Sequence, residues 1–340
     1  MSLESNTTAV RAAGVDPITA VDGRLEREYQ ALKSGAGLRQ LDDRLIVRVS
    51  GDDRISFLHG MCTADVKGLT PGAVAAALFV TERAHVIADF FIYALADAFL
   101  IEIGRDAWPR VLSHLEQFLV ADDVEFDELA SLSVVDFEGP GAAAVLAESG
   151  GGSTPESWHF DPASTLARIP RFGVAAFTML VETDEVATTL ARVDPENKVV
   201  RLGAEALEVI RVENGLARVG IDTGEKTLAL EARLDRAISL DKGCYIGQET
   251  LERATARGAI KRRLCGLRIE GSRLPDAGSV ILAGEKPVGV LTSIVRSPTL
   301  GLIGLSVLHH SVWPEGTRVV IRDGHGALEA QTADLPFRNP

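Results

Sequence analysis

Cysteine, aromatic residues and positive charge are all scarce in this chain. The three cysteines among 340 residues, Cys62, Cys244 and Cys265, lie far apart and form no C-x-x-C pair. That spacing excludes the disulfide framework of a small secreted domain and fits a reducing compartment. Aromatics make up 5% of the chain against 32 glycines, so the cores have to be assembled from Val, Leu, Ile and Ala. Lys and Arg number 35 against 48 Asp and Glu, a formal charge of −13. A chain this acidic lacks the positive surface that a phosphate backbone requires, so nucleic acid is not an expected partner. Apolar runs such as residues 90–96 fall far short of the ~20 residues a membrane helix needs. Residues 1–22 lack the basic start and apolar run of a secretory leader. The expectation is a cytoplasmic protein without a membrane partner.

What is present is ordinary globular material, 46% hydrophobic and 24% charged, long enough for two or three domains. A short helix is expected around residues 25–33, after an N-terminal arm. Residues 45–50 alternate as a strand, and Gly51-Asp52-Asp53 ends it, with Asp52 or Asp53 as candidate cap of a helix through Ile55, Phe57 and Leu58. Apolar runs at 74–80, 85–95 and 99–103 read as strands. Trp108, Val111, Leu112, Leu115, Phe118 and Leu119 then fall at helical spacing between 106 and 120. Strands followed by a helix in this order give an α+β layout rather than alternating β-α units. No G-x-G-x-x-G follows a strand and no G-x-x-x-x-G-K-[ST] occurs, so dinucleotide and P-loop folds are not supported. Residues 149–153 read as a flexible loop, and residues 204–213 as a helix that Asn214-Gly215 stops. Beyond a boundary near Gly258, six short runs between Gly and Pro turns have the spacing of a small antiparallel barrel or sandwich.

The chemistry concentrates in residues 241–250, Asp-Lys-Gly-Cys-Tyr-Ile-Gly-Gln-Glu-Thr. Cys244 stands beside a lysine, an aromatic hydroxyl, an amide and a carboxylate. A nearby cation favours the thiolate, which is the nucleophilic and metal-ligating form. A buried inert thiol is the competing reading. One cysteine cannot hold an iron–sulfur cluster alone, since four ligands are usual. No resident metal is expected: His309-His310 are adjacent on a strand and so point to opposite faces. Cys62 and Cys265 read as small core residues.

Residues 242–249 resemble the signature of the YgfZ family of folate-binding, iron–sulfur-related proteins, which shares its fold with the aminomethyltransferase (T-protein) of the glycine cleavage system. Residues 49–60, the Arg211-Val-Glu-Asn-Gly…Gly-Ile-Asp222 stretch, and residues 289–293 and 297–300 are similar to other parts of that superfamily. The resemblance implies an α+β, three-domain cloverleaf of antiparallel sheets with flanking helices and a C-terminal small β-barrel. Its domains would be residues 1–45 with 131–258 (discontinuous, folate-binding), residues 46–130, and residues 259–338. It also implies tetrahydrofolate, or a derivative, as ligand. Glu213 matches the pterin-binding glutamate, and a carboxylate suits the pterin's donor edge. Arg211, Lys242, Tyr245, Gln248 and Arg253 are further candidate folate contacts. For Arg211, pairing with a neighbouring carboxylate to fix the helix end stays equally open. Residues 241–270 hold seven basic and four acidic side chains, a basic stretch suited to an anionic tail or to a solvated linker.

Asp89, an acid inside an apolar strand, falls in the region of the acidic residue that assists methylene transfer in T-proteins. It is a candidate catalytic group together with Cys244. Two departures speak against ordinary aminomethyl transfer. Residues 168–177 lack the Tyr-Thr-Gly-Glu of T-proteins, and Lys242-Gly-Cys-Tyr-Ile-Gly replaces a K-x-D-F-I-G. A third departure, Ala84 where relatives carry Gly, bears on the hairpin turn at residues 81–85. The reading expects a tetrahydrofolate-binding protein that assists assembly or repair of iron–sulfur proteins, with client or assembly proteins as partners. A folate-dependent aminomethyltransferase and a non-catalytic scaffold are the alternatives.

Overall fold

A computed structural model describes residues 23–148, 154–256 and 260–338. The expected N-terminal arm, the glycine-rich loop at 149–153, the boundary near Gly258 and the basic residue Arg257 lie outside the described residues. The chain divides into two compact units, one of Gln30–Gly203 with Arg236–Gln248 and one of Met1–Tyr29, Ala204–Asp235 and Glu249–Pro340.

The first unit is built on two sheets. In the five-stranded sheet, Val74–Val80, Val86–Ala94, Phe99–Gly104, Arg44–Ser50 and Glu125–Glu128 follow one another in that order, each antiparallel to the next. Strand alternation sorts the faces: Phe90, Ile92 and Ala94 pack with Phe57, Leu58, Trp108, Val111 and Leu115 of the two covering helices, Arg54–Met61 and Trp108–Glu116. Asp89, Phe91 and Tyr93 therefore face the other way. The outermost strand, Glu125–Glu128, carries three exposed acids in four residues.

In the six-stranded sheet, Leu132–Glu138 and Ala176–Glu182 form the centre, with Gly37–Gln40 and Val200–Arg201 on one side and Leu166–Arg168 and Phe160–Asp161 on the other. Val200–Arg201 pairs parallel; the rest are antiparallel. Val135 and Phe137 pack under the helices Ala142–Glu148 and Val186–Val193. Val134, on the opposite face, joins Ile46, Tyr93 and Leu100 in a core shared by the two sheets. Asp136 and Glu138 share its side by alternation.

The second unit holds the helix Ala204–Glu213 and a seven-stranded antiparallel sheet formed by residues 262–333. The helix ends where the sequence predicts. Gly215 takes φ +65°, its N–H bonds Val212 O, and the Leu216 N–H reaches back to Arg211 O, a Schellman stop. The sheet curls on itself: Ser306 Oγ donates to Val290 O at 2.7 Å, and Gly289 lies so close to Leu308 that a Cβ there would collide with it. Leu267, Ile281, Leu291, Leu308 and Ile321 fill its interior.

Two local expectations need correction. Asp53 does precede the helix Arg54–Met61, but no side-chain cap forms. Its carboxylate accepts instead from Asp123 N–H at 2.9 Å, while Asp52 N–H donates to Asp123 Oδ2 at 3.0 Å. A partner 70 positions away in the sequence has displaced the local one. Nor do His309 and His310 point apart. The strand stops at His309, a 3-10 turn begins at His310, and the two rings lie 4.2 Å apart between centroids.

Candidate functional site

In the first unit, the segment carrying Cys244 is tied to the C-terminal end of the helix Arg54–Met61. That end leaves carbonyls without helical donors, and Lys242 supplies them: its Nζ donates to His59 O, Cys62 O and Ala64 O at 2.5, 2.7 and 2.6 Å. The ammonium also lies 4.7 Å from the centroid of the Tyr245 ring. His59 completes the tie, with Nε2 2.9 Å from Lys242 O. Because that carbonyl can only accept, Nε2 carries the proton, and Nδ1 is left to accept from Lys67 N–H at 3.4 Å. Burial, helped by the charge of Lys242, lowers the His59 pKa and keeps this neutral tautomer. Further along, Ile246 N–H bonds Gly60 O at 3.0 Å. Gly247, at φ +84°, fits against Thr81 O, where a Cβ would come within 2.7 Å. Ala84, in the facing hairpin, is itself left-handed at φ +59°. The hairpin thus keeps the turn that its missing glycine put in question, at a strain of about 1–2 kcal/mol.

Cys244 sits exposed on this braced loop, whereas Cys62 and Cys265 are buried. Burial pushes the Cys62 thiol up to about 11, which suits an inert core residue. Asp89 is half-buried on Val86–Ala94, opposite Leu78. Gln248 opens the helix Gln248–Ala256, where Arg253 pairs with Glu249 one turn earlier, both exposed.

The second unit holds Glu213 and Arg211. Both oxygens of Glu213 accept from the Tyr29 hydroxyl, at 2.9 and 3.2 Å, and Oε1 also accepts from Ser297 Oγ at 2.6 Å. The Tyr29 hydroxyl lies 2.9 Å from Thr299 Oγ1 as well. Arg211 is buried and bonded to Glu208, Asp222 Oδ2 (2.8 Å) and Ser293 Oγ (2.6 Å). Of its two open roles, this is the one that fixes the helix end. Among the other basic candidates, Arg262 makes a two-point bond to Glu231 and Arg263 lies 4.7 Å over Trp313.

The sequence reading missed a buried charged cluster in the first unit. Arg171 donates to Asp136 Oδ2 at 2.7 Å, to Glu102 at 2.8 and 3.0 Å and to Thr178 at 3.3 Å. Arg44 and the Tyr93 hydroxyl also reach Glu102, at 2.9 and 2.5 Å. Burial works to raise the Glu102 pKa, but Arg171 and Arg44 outweigh it and hold the carboxyl at about 2. Glu138, two residues along the strand from Asp136, has no such partner: it is 0% exposed, and neither oxygen has a hydrogen bond among the described residues. Burial and the neighbouring Asp136 push its pKa well up, which favours the neutral carboxylic acid. The only sequence signal was an acid within an apolar alternation, as in Val134-Val135-Asp136-Phe137-Glu138.

Comparison with known proteins adds a fold-wide context. Residues 16–160 match the GCVT N-terminal domain, and residues 262–338 match the glycine cleavage T-protein C-terminal barrel domain. An aminomethyltransferase of Nostoc is 29% identical over 82% of this chain and 77% of its own length. One from Rubrobacter xylanophilus is 28% identical over 92% and 86%. A chloroplastic putative transferase of Arabidopsis thaliana is 27% identical over 86% and 70%. The crystal structure of glycine cleavage system aminomethyltransferase T from Bartonella henselae superposes with a TM-score of 0.84, covering 93% of this chain and 90% of that one at 22% identity.

Proposed function

Because the chain belongs to the glycine cleavage T-protein superfamily of aminomethyltransferase-like proteins, we propose that it binds tetrahydrofolate, or a derivative, and assists the assembly or repair of iron–sulfur proteins. Glu213 is the group that would hold the pterin. It is a buried carboxylate already served by hydroxyl donors, and a reduced pterin offers the same kind of group, a donor edge, for two-point bonding. Arg253, exposed on its helix, is the basic candidate for the ligand's anionic tail. When bound, the folate supplies a carrier for a one-carbon unit.

The observation that carries the reading is Cys244. Of the three thiols it alone is exposed, and its loop is held in place by Lys242, His59 and Gly247. A braced, accessible thiol can ligate iron or form a reversible adduct without the loop having to order itself first. Lys242 supports that role through the backbone: its ammonium is aimed at three carbonyls rather than at the sulfur. The segment that departs from the T-protein pattern is consistent with this reading. Its Arg171 is committed to Asp136, Glu102 and Thr178.

The test combines titration with tetrahydrofolate and a functional assay. The Cys244→Ala variant should bind folate as the parent does and lose its support of iron–sulfur enzyme activity in cells lacking the parent protein. Unchanged support would remove the thiol from the mechanism. The names of the relatives favour a second reading, transfer of an aminomethyl group with Asp89 as the key acid. Methylene transfer from an aminomethyl-lipoyl donor that needs Asp89 and not Cys244 would put that reading first.

A further inference from the structure

The Tyr29 hydroxyl stands where a two-point ligand of Glu213 has to arrive. A carboxylate offers about four lone-pair sites, and a donor that bonds both oxygens at once lies on the face between them. Tyr29 Oη does so, at 2.9 Å from Oε1 and 3.2 Å from Oε2. That face is also the one a paired N–H edge, such as a pterin's, needs for parallel bonds to the two oxygens. The residue is 1% exposed, so the hydroxyl is not displaced by casual contact with solvent.

The other donor behaves differently. Ser297 Oγ already accepts from Thr299 N–H at 3.1 Å and Leu300 N–H at 3.0 Å, so its own proton goes to Glu213, and it reaches Oε1 alone. Ser297 orients the carboxylate through one oxygen, whereas Tyr29 lies across both. The closed arrangement has a built-in alternative, because Thr299 Oγ1 lies 2.9 Å from Tyr29 Oη and can take its hydrogen bond when the carboxylate is claimed by a ligand.

We infer that Tyr29 is a gate on Glu213: its hydroxyl occupies the ligand-binding face of the carboxylate and must turn away, towards Thr299, before a pterin-type donor edge can bind. The inference rests on the folate reading of Glu213 and adds to it a residue that sets affinity from the unliganded side. A ligand with one donor gains little by displacing a hydroxyl. One with two gains a bond in the exchange, so the gate selects for paired donors.

Isothermal titration of tetrahydrofolate into the full chain and four variants tests this. Glu213→Gln should weaken binding strongly, which checks the underlying reading. Tyr29→Phe should bind roughly tenfold tighter or more, the size expected when a hydrogen bond to a charged group no longer competes. Ser297→Ala should bind more weakly, since the carboxylate loses its orienting donor. Thr299→Val should also bind more weakly, because the displaced hydroxyl loses the acceptor at Thr299; this variant keeps the test decisive if thermal denaturation shows Tyr29→Phe to be misfolded. Unchanged or weaker binding by a folded Tyr29→Phe overturns the gate while leaving Glu213 as the pterin residue. If parent and Tyr29→Phe alike show no binding, the gate and the folate reading fall together.

Discussion

At the scale of single residues, the decisive groups are three buried acids, two of them served by the guanidiniums of Arg171 and Arg44 and one by neither. Glu102 and Asp136 are both bonded to Arg171, so removing that one side chain leaves Asp136 without its cation and Glu102 with Arg44 alone. Arg171→Met should destabilise the first unit by about 3–5 kcal/mol, read from urea denaturation, because breaking a buried pair leaves its charge without compensation. Glu138 makes the opposite prediction. Its folded pKa is raised, so the stability it contributes is complete below the unfolded value of about 4.3 and is lost as pH rises towards the folded value. Glu138→Gln should therefore leave the thermal midpoint nearly unchanged near pH 4 and raise it at pH 8 and above. An equal shift at both pH values would mean that the acid is not held neutral. Neither group was legible in the sequence for what it does. Glu102 and Glu138 each sit in an apolar strand with nothing local to mark their role, and Glu102 meets Arg171 across 69 positions of chain.

At the scale of elements, legibility followed locality. The helix Ala204–Glu213 and its stop at Gly215 were readable because a capping glycine lies next to what it caps. The strands at 74–104 were readable from apolar runs and turns. What failed was an assignment that a distant partner decides, Asp53, drawn to Asp123 instead of its own helix; the donors of Glu213, Tyr29 and Ser297, lie 184 and 84 positions away and were equally out of reach of local reading. The loop of Cys244 combines both cases. Its residue types announced chemistry, but that Lys242 serves as a cap for another helix could not be read from its neighbours. The loop should be sensitive at its far end. Gly247→Ala places a Cβ 2.7 Å from Thr81 O in a left-handed conformation, so at least about 1–2 kcal/mol of stability should be lost from the dihedral alone. Hydrogen exchange should then rise in residues 241–247 before it rises in the sheets. Uniform exchange throughout the unit would show that the brace is not local.

At the scale of the whole molecule, the fold is that of the T-protein superfamily, kept at a TM-score of 0.84 with 22% identity. A fold held at that distance fixes where strands and helices go, not which chemistry they carry. That is why the expected α+β class with its C-terminal barrel sheet stood, whereas the function has to be argued from Glu213, Cys244 and the substituted segment around Arg171. The formal charge of −13 acts at this scale too. Like charge works against contact between copies, and part of it lies on the strand Glu125–Glu128, which among the described residues is at the edge of its sheet. An unpaired strand edge is a template for a second molecule unless like charges guard it. The guard is a matter of charge, so it weakens when that charge is removed. Asp127→Asn with Glu125→Gln should raise the particle size read by light scattering at neutral pH, and an unchanged size would show that this stripe does not keep edges apart. The same stripe that discourages pairing is therefore the place from which strand-to-strand stacking would begin once its charge is lost.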